Sequence, residues 1–527
     1  MSTQAPPGAM PGLMMDTPLL VRQIAERAGL LFAEREVVSV TATGVERSTY
    51  GEVLRRARAL AASLDELGIR PGDRVATFGW NSLRHLELYL AVPSMGAVLH
   101  TLNIRLFEDD LRYIVRHADD RVIFLDASLA GVMPKFDGVE HEVLMPDAEA
   151  EREGALDYEE LVTRGDPGFS FPDVDENSAA AMCYTSGTTG RPKGVVYSHR
   201  STVIHTLLTN QADANALRER DSVLPVVPMF HANAWGLPYA AAMAGARLVL
   251  PGPKMDPASL AKLIGEEKVT MTAAVPTIWQ GLAQLDPAPD LSCLERVMCG
   301  GSAVPESLIR AFDERFGVPI TQGWGMTETS PVASLSNLPP EVEPRSQEGY
   351  RLRATAGRPL PFVEYRVDEE AGGELQVRGP TIAATYYNDD TSSEKFTEDG
   401  WLRTGDVAEV GERGFLKLVD RTKDLVKSGG EWISSVELEN EIMAHDDVLE
   451  AAVVAVPDER WGERPCACVV LREGAGLDEE GLRSFLADRV AKWWIPDQVR
   501  FIDEVPKTSV GKFDKKVLRA QLTEDES

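Results

Sequence analysis

Tyr184-Thr-Ser-Gly-Thr-Thr-Gly-Arg-Pro-Lys-Gly194 concentrates three glycines, four aliphatic hydroxyls and one lysine in a single short run. A backbone that wraps a polyphosphate needs this composition. Glycines let successive N–H groups point into one concavity, and hydroxyls and a lysine add donors and charge. The preceding Ala179-Ala-Ala-Met-Cys-Tyr184 reads as a short buried strand. Strand followed by glycine-rich loop predicts an open α/β sheet with its ligand at the carboxyl end of a strand. The loop is not a Walker A motif, because Gly194 rather than Ser or Thr follows Lys193.

A chain of 527 residues exceeds what one core holds, so two or more domains are expected. Hydrophobic residues at 43% and charged residues at 26% describe a globular chain. The balance of 54 basic and 83 acidic residues gives a net charge of −29, which argues against nonspecific binding to nucleic acid or anionic membranes. It also means that any phosphate site is made locally, by loops and a few lysines. Cys183, Cys293, Cys299, Cys466 and Cys468 form no metal-ligand spacing and are odd in number, so reduced thiols and a cytoplasmic location are expected. The first basic residue is Arg22, and Pro11-Gly12 breaks the Met10–Met15 stretch, so no secretory leader is expected. The longest apolar stretch, Leu237–Ala246, is far short of the ~20 residues that cross a bilayer.

Helix and strand alternate after the first residues. Val53, Ala57, Leu60, Leu64 and Leu67 recur at helical spacing, Gly68 is a stop signal, and Arg74–Phe78 reads as a strand. A helical stretch from 257 and the strand-like Val269–Val275 repeat the unit, which implies a largely parallel, helix-covered sheet. From about 355, Glu374–Arg378, Gly405–Val410 and Gly414–Val419 alternate with turns and predict a small β-rich subdomain. Asp420-Arg-Thr-Lys-Asp-Leu425 then separates two foldable regions. Beyond it, Ser434 and Glu437 have capping-box spacing, Ala451–Val456 reads as a buried strand and Leu482–Val490 as a helix. The expected fold is α/β: a large N-terminal domain, 1–420, of helix-covered, mostly parallel sheets plus the β-rich subdomain, and a small mobile α+β C-terminal domain, 421–527, with a hinge at 420–425.

Four more runs carry chemistry: Gln322-Gly-Trp-Gly-Met-Thr-Glu328, Trp401-Leu-Arg-Thr-Gly-Asp406, Lys427-Ser-Gly-Gly-Glu-Trp-Ile433 and Pro506-Lys-Thr-Ser-Val-Gly-Lys-Phe513. Each also has a plain structural reading: Trp324 as core filler, Asp406 as a turn cap, Glu328 as a solvated acid, Lys512 as a surface lysine. In this order along the chain, the runs resemble the adenylate-forming acyl-CoA synthetases, from about residue 40 to 520. Within that group, Pro225-Val-Val-Pro-Met-Phe-His-Ala-Asn-Ala-Trp235, Leu425–Ser435 and Lys492-Trp-Trp-Ile-Pro496 are similar to medium- and long-chain fatty-acid–CoA ligases.

The resemblance implies two half-reactions. A carboxylate attacks the α-phosphorus of ATP to give acyl-AMP and pyrophosphate, and the thiol of coenzyme A then displaces AMP. It assigns Thr185, Ser186, Gly187, Thr188, Thr189, Gly190 and Lys193 to the β- and γ-phosphates, and Thr185 and Glu328 to Mg²⁺ as hard oxygen donors. Trp324 is expected to stack on adenine beside Gly301, with Gln322, Gly323 and Thr327 lining the nucleotide. Asp406 is expected on the ribose hydroxyls and Arg421 at the ribose–phosphate end. Lys512 is the expected adenylation lysine and Lys423 the hinge. Gly429, Gly430 and Trp432 are expected near the CoA channel, with Lys427 and Trp432 also touching nucleotide. Phe230, His231 and Trp235 are expected at the acyl pocket, His231 either as a catalytic group or as a satisfied buried histidine. Amino-acid-activating relatives carry aspartate after the corresponding phenylalanine. His231 stands there in this chain, so amino acids are not the expected substrates. A short thioether, branched or aryl acid stays open beside a fatty acid, as does a luciferase-type monooxygenase, and a homodimer is left open.

Overall fold

A computed structural model describes residues 10, 12–185, 191–429, 431–458, 460–507 and 513–525, the side chains of 523–525 excepted. Four sheets organise these residues. In the seven-stranded sheet, Leu156–Asp157, His141–Met145, Asp120–Asp126, Arg74–Phe78, Val98–Thr101 and Ala179–Tyr184 run parallel, and Gly194–Ser198 closes one edge antiparallel. The nine-stranded sheet is parallel through its centre (Ile320–Gly325, Arg296–Gly300, Met271–Ala274, Ser222–Pro225, Arg247–Leu250, Glu36–Val40) and antiparallel at both ends.

Parallel strands need crossovers, and helices provide them. The helix Tyr50–Glu66 follows the predicted periodicity: Val53, Leu54, Ala57, Leu60 and Leu64 are buried, and the Thr49 hydroxyl accepts from Glu52 N at 3.3 Å to cap it. Gly68 follows in the left-handed region at φ +86°. One buried cluster joins Val75 and Leu99 of the seven-stranded sheet to Val223, Leu248 and Met271 of the nine-stranded sheet through helix residues such as Leu60, Leu86 and Tyr239. The two sheets therefore share a core and position each other.

Glu364–Asp368, Glu374–Arg378, Leu402–Val410 and Leu416–Arg421 form the antiparallel β-rich subdomain. A five-stranded sheet follows, centred on Val448–Asp458 and Gly462–Leu471, with its own core of Val426, Ile433, Leu438, Ile442, Val453, Val469 and Val499. A large N-terminal and a small C-terminal portion result, as expected. Predicted element ends move where local chemistry intervenes. The strand at 269–275 shortens to Met271–Ala274 because Pro276 starts a helix. The helix expected at 482–490 is Glu479–Leu486, since the Asp478 carboxylate caps it by accepting from Gly481 N at 2.8 Å. The strand read at 414–419 is Leu416–Arg421 and enters the 420–425 segment.

The small portion meets the large one along few ties. Ser434 Oγ donates to the Val419 carbonyl, Ser435 N donates to the Asp420 carboxylate at 2.6 Å, and Lys417 lies 3.3 Å from Glu437. Within the small portion, Lys515 pairs with buried Glu439 at 2.7 Å and donates to Ser435 Oγ at 2.6 Å. A groove of about 870 Å³ lies beside these ties, lined by charged groups including Arg310, Arg351, Lys417, Glu437 and Arg489 and by none of the motif residues. Among the described residues, no helix is long and apolar enough to cross a membrane, and all five cysteines are free thiols.

Candidate active site

The opening run lies on a hairpin at the sheet edge. Tyr184 pairs with Gly194 across the antiparallel strands. Thr185 N donates to the Lys193 carbonyl at 2.9 Å, and Lys193 N donates back to Thr185 Oγ1 at 3.1 Å. Thr185 and Lys193 thus close the neck of the loop; Ser186, Gly187, Thr188, Thr189 and Gly190 lie outside the described residues. A Cβ on Gly194 would sit 3.1 Å from the Tyr184 ring and 3.2 Å from Tyr387, so a side chain there would crowd both tyrosines. The Tyr184 hydroxyl meets His117 Nδ1 at 2.7 Å, and burial holds that phenol well above its ordinary pKa.

Gln322, Gly323 and Trp324 lie on the strand Ile320–Gly325. The Gln322 amide oxygen accepts from Val304 N at 3.1 Å, which anchors the turn carrying Gly301, itself at φ +87°. The Trp324 indole N–H donates to Asp406 Oδ2 at 2.9 Å, and Arg421 Nε lies 3.3 Å from Asp406 Oδ1. Asp406 and Arg421 are register partners in a different sheet. Three residues expected at one nucleotide are therefore in direct contact across 97 positions of sequence, from 324 to 421. The carboxylate retains lone pairs beyond these two bonds, as a vicinal diol would require.

Thr327 and Glu328 follow immediately. Tyr197 Oη donates to the Thr327 carbonyl at 2.7 Å, and Tyr386 Oη donates to Glu328 Oε1 at 2.5 Å. Ala383 N donates to the Glu328 carbonyl at 2.8 Å, and Tyr387 N to the Gly194 carbonyl at 2.9 Å. The loop between Glu374–Arg378 and Leu402–Val410 thus docks on both the Tyr184–Gly194 hairpin and the Glu328 turn. It also holds Lys193: Nζ donates to Thr391 Oγ1 at 2.6 Å, lies 3.1 Å from Asp389 Oδ2 and sits 4.9 Å from the centre of the Tyr386 ring. Sequence reasoning missed Tyr386, Asp389 and Thr391. The Asp-x-Thr spacing was the available signal, a local cap in which Asp389 Oδ1 accepts from Thr391 N at 2.8 Å.

The residues expected at an acyl pocket sit on a strained connection. Buried Asn81 donates to the Pro225 and Val227 carbonyls at 2.8 and 2.9 Å and accepts from Met229 N at 2.6 Å, which fixes the approach to Phe230 and His231. Ala232, Asn233, Ala234 and Trp235 then run at φ of 43°, 52°, 48° and 56°, four successive left-handed non-glycine residues. Each costs on the order of 1 kcal/mol, so tertiary contacts must over-determine the turn. It presses Trp235, 9% exposed, against the strand Arg296–Gly300: a Cβ on Gly300 would be 3.3 Å from the Trp235 ring. Phe230 is 2% exposed, with the Arg105 guanidinium 5.8 Å from its ring centre. Thr185, Phe230 and His231 line one cavity of about 10 Å³, room for about one water.

Trp432 is 50% exposed, with Lys427 Nζ 5.4 Å from its ring centre. Gly429, at φ +62°, donates its N–H to the Trp461 carbonyl at 2.8 Å. Arg519 donates to the Lys423 carbonyl at 3.4 Å and to Asp424 Oδ1 at 2.6 Å, which ties the linker to the final helix. Gly430 and Lys512 lie outside the described residues.

Residues 26–387 match the AMP-binding enzyme family, and residues 437–512 match the AMP-binding enzyme C-terminal domain. The chain belongs to the adenylate-forming acyl-CoA synthetase superfamily, an AMP-forming acid–thiol ligase family. It is 49% identical to a long-chain-fatty-acid–CoA ligase of Thermus thermophilus, with 97% of each chain covered. It is 42% identical to a 3-methylmercaptopropionyl-CoA ligase of Ruegeria lacuscaerulensis, covering 97% of this chain and 99% of that protein. The crystal structure of an anthranilate CoA ligase in complex with anthranoyl-AMP superposes with a TM-score of 0.86 at 25% identity, over 97% of this chain and 99% of that one.

Proposed function

We propose that this synthetase is an ATP-dependent fatty acid–CoA ligase that forms acyl-CoA, AMP and pyrophosphate through an acyl-adenylate. The carrying observation is the packing of Trp235 against Gly300. It sets the end of the acyl segment against the strand that leads to Gly301, and so joins an acid site to a nucleotide site. In this reading Trp324 and Asp406 hold adenosine, Arg421 the ribose–phosphate end, and Thr185 with Lys193 the polyphosphate. Preorganised donors of this kind stabilise charge where it develops. Lys512 meets the carboxylate and the α-phosphate, and the segment beyond Lys423 turns about that residue to exchange Lys512 for Gly429, Gly430 and Trp432 when coenzyme A reacts.

The donor set fits Mg²⁺. Thr185 and Glu328 offer hard oxygens, and among the described residues no group of three or more His, Cys, Asp or Glu could hold a metal by itself. A hexacoordinate ion that keeps waters and is carried by phosphates needs only one or two protein oxygens. When bound, it would neutralise phosphate charge; the protein's share is to orient the oxygens through Lys193 N on Thr185 and Tyr386 on Glu328.

The packing of Trp235 in the apolar core and the 49% identical relative support a fatty acid. The 42% identical relative, which acts on a methylthio acid, keeps a short thioether acid as the second reading. Reduced thiols fit a cytoplasmic enzyme. A panel of C2–C18, methylthio and aryl acids, read as CoA-dependent AMP release, tests the proposal. Turnover confined to aryl or methylthio acids would refute the fatty-acid assignment, and no AMP release with any acid would refute the ligase reading itself.

A further inference from the structure

Lys193 is engaged twice over by a loop that no motif marks. Its ammonium donates to the Thr391 hydroxyl and pairs with Asp389 at 3.1 Å. Asp389 is itself fixed: Oδ1 accepts from Thr391 N at 2.8 Å and from Thr391 Oγ1 at 2.7 Å. Burial by itself would raise the Asp389 pKa, but these bonds and Lys193 hold it below its ordinary value, so it is an anion at neutral pH. The pair is part-buried, with side-chain exposures of 30% for Lys193 and 17% for Asp389, so water screens it incompletely.

One ammonium cannot give its full charge to two anions. A polyphosphate at Thr185–Lys193 has to share Lys193 with a rigid carboxylate. The same carboxylate adds a like charge beside the phosphates, in a chain already at −29. Both effects weaken ATP, and they weaken the pyrophosphate product by the same route.

We propose that Asp389 is a positioning residue that competes with the polyphosphate for Lys193, lowering affinity for ATP and for pyrophosphate together and so favouring product release. The proposal rests on the nucleotide-site reading and adds to it a residue that opposes binding. Thr391 serves as the fixed support of that competitor.

The test is calorimetric titration of the full-length protein with ATP and Mg²⁺, no carboxylic acid being supplied, and then with magnesium pyrophosphate. Asp389→Asn is expected to bind both about fivefold more tightly, the scale of a part-exposed ion pair. Thr391→Val, which loosens the carboxylate, should shift both in the same direction by about twofold. With Lys193→Ala as background, adding Asp389→Asn should change little, which a general effect on folding would not reproduce. Unchanged or weaker binding in Asp389→Asn, or an equal gain when Lys193 is absent, overturns the proposal. Should Asp389→Asn not fold, unchanged or weaker binding in Thr391→Val decides against it. A parent protein that binds neither ligand instead removes the nucleotide-site reading, and this inference with it.

Discussion

The two portions of the molecule treat their functional groups in opposite ways. On the large portion, Trp324, Glu328 and Asp406 are 8%, 5% and 8% exposed, and each is held by a side-chain hydrogen bond. On the small portion, Trp432 is 50% exposed and its close cation is Lys427, on the paired strand. In the proposed reading the first arrangement is preorganised: its dipoles and charges are fixed before substrate arrives, so no reorganisation is needed during the reaction. The second suits groups that are delivered. The few polar ties near 419–439 and the charged groove beside them fit a body that changes position, because charged faces separate into water at little cost.

The strongest way to break this contrast is to remove what makes the small portion a rigid carrier. Lys515→Met should leave the carboxylate of buried Glu439 without its partner and destabilise that portion by about 3–5 kcal/mol, visible as an early transition in chemical denaturation followed by the tryptophans. A single unshifted transition would mean that Lys515 is not structural. Next in size, Lys512→Ala should cut adenylation on the order of 10²–10³-fold while thioester formation from supplied acyl-AMP survives. Equal losses in both half-reactions would show that the small portion does not exchange groups between steps. On the preorganised side, Asp406→Asn weakens the bonds to Trp324 and Arg421, and kcat/KM for ATP should fall about 10–100-fold, with KM carrying most of the change. A change in the acid's KM alone would place Asp406 elsewhere. The smallest effect is expected from Lys417→Ala, because its pair with Glu437 is half exposed. Stability should shift by less than about 1 kcal/mol, and a larger shift in guanidinium titration would mean that the interface is tighter than its contacts indicate.

The elements read from the sequence carry local signals. Ala179–Tyr184, Arg74–Phe78 and Glu374–Arg378 were read to the residue, and Gly68 and Ser434 mark helix ends through side-chain or backbone chemistry within a turn. Capping at Asp478 and the helix start at Pro276 moved other boundaries, where a short-range bond overrode a hydrophobic pattern. The left-handed run from Ala232 to Trp235 had no sequence signal. Alanine and tryptophan do not favour positive φ, and neighbours such as Asn81, which fixes the backbone leading into it, must hold it.

Family membership was legible in the chain alone, because a glycine- and hydroxyl-rich hairpin, a Trp-Gly-Met-Thr-Glu run and a late Gly-Lys pair are read residue by residue. Which of these groups touch one another follows from packing. Trp324 meets Asp406 because two sheets abut. Asp389 and Thr391 reach Lys193 because a loop from the β-rich subdomain docks on the hairpin. Those contacts depend on packing between elements about 80 and 200 residues apart in the chain, and no local pattern encodes a distance through space.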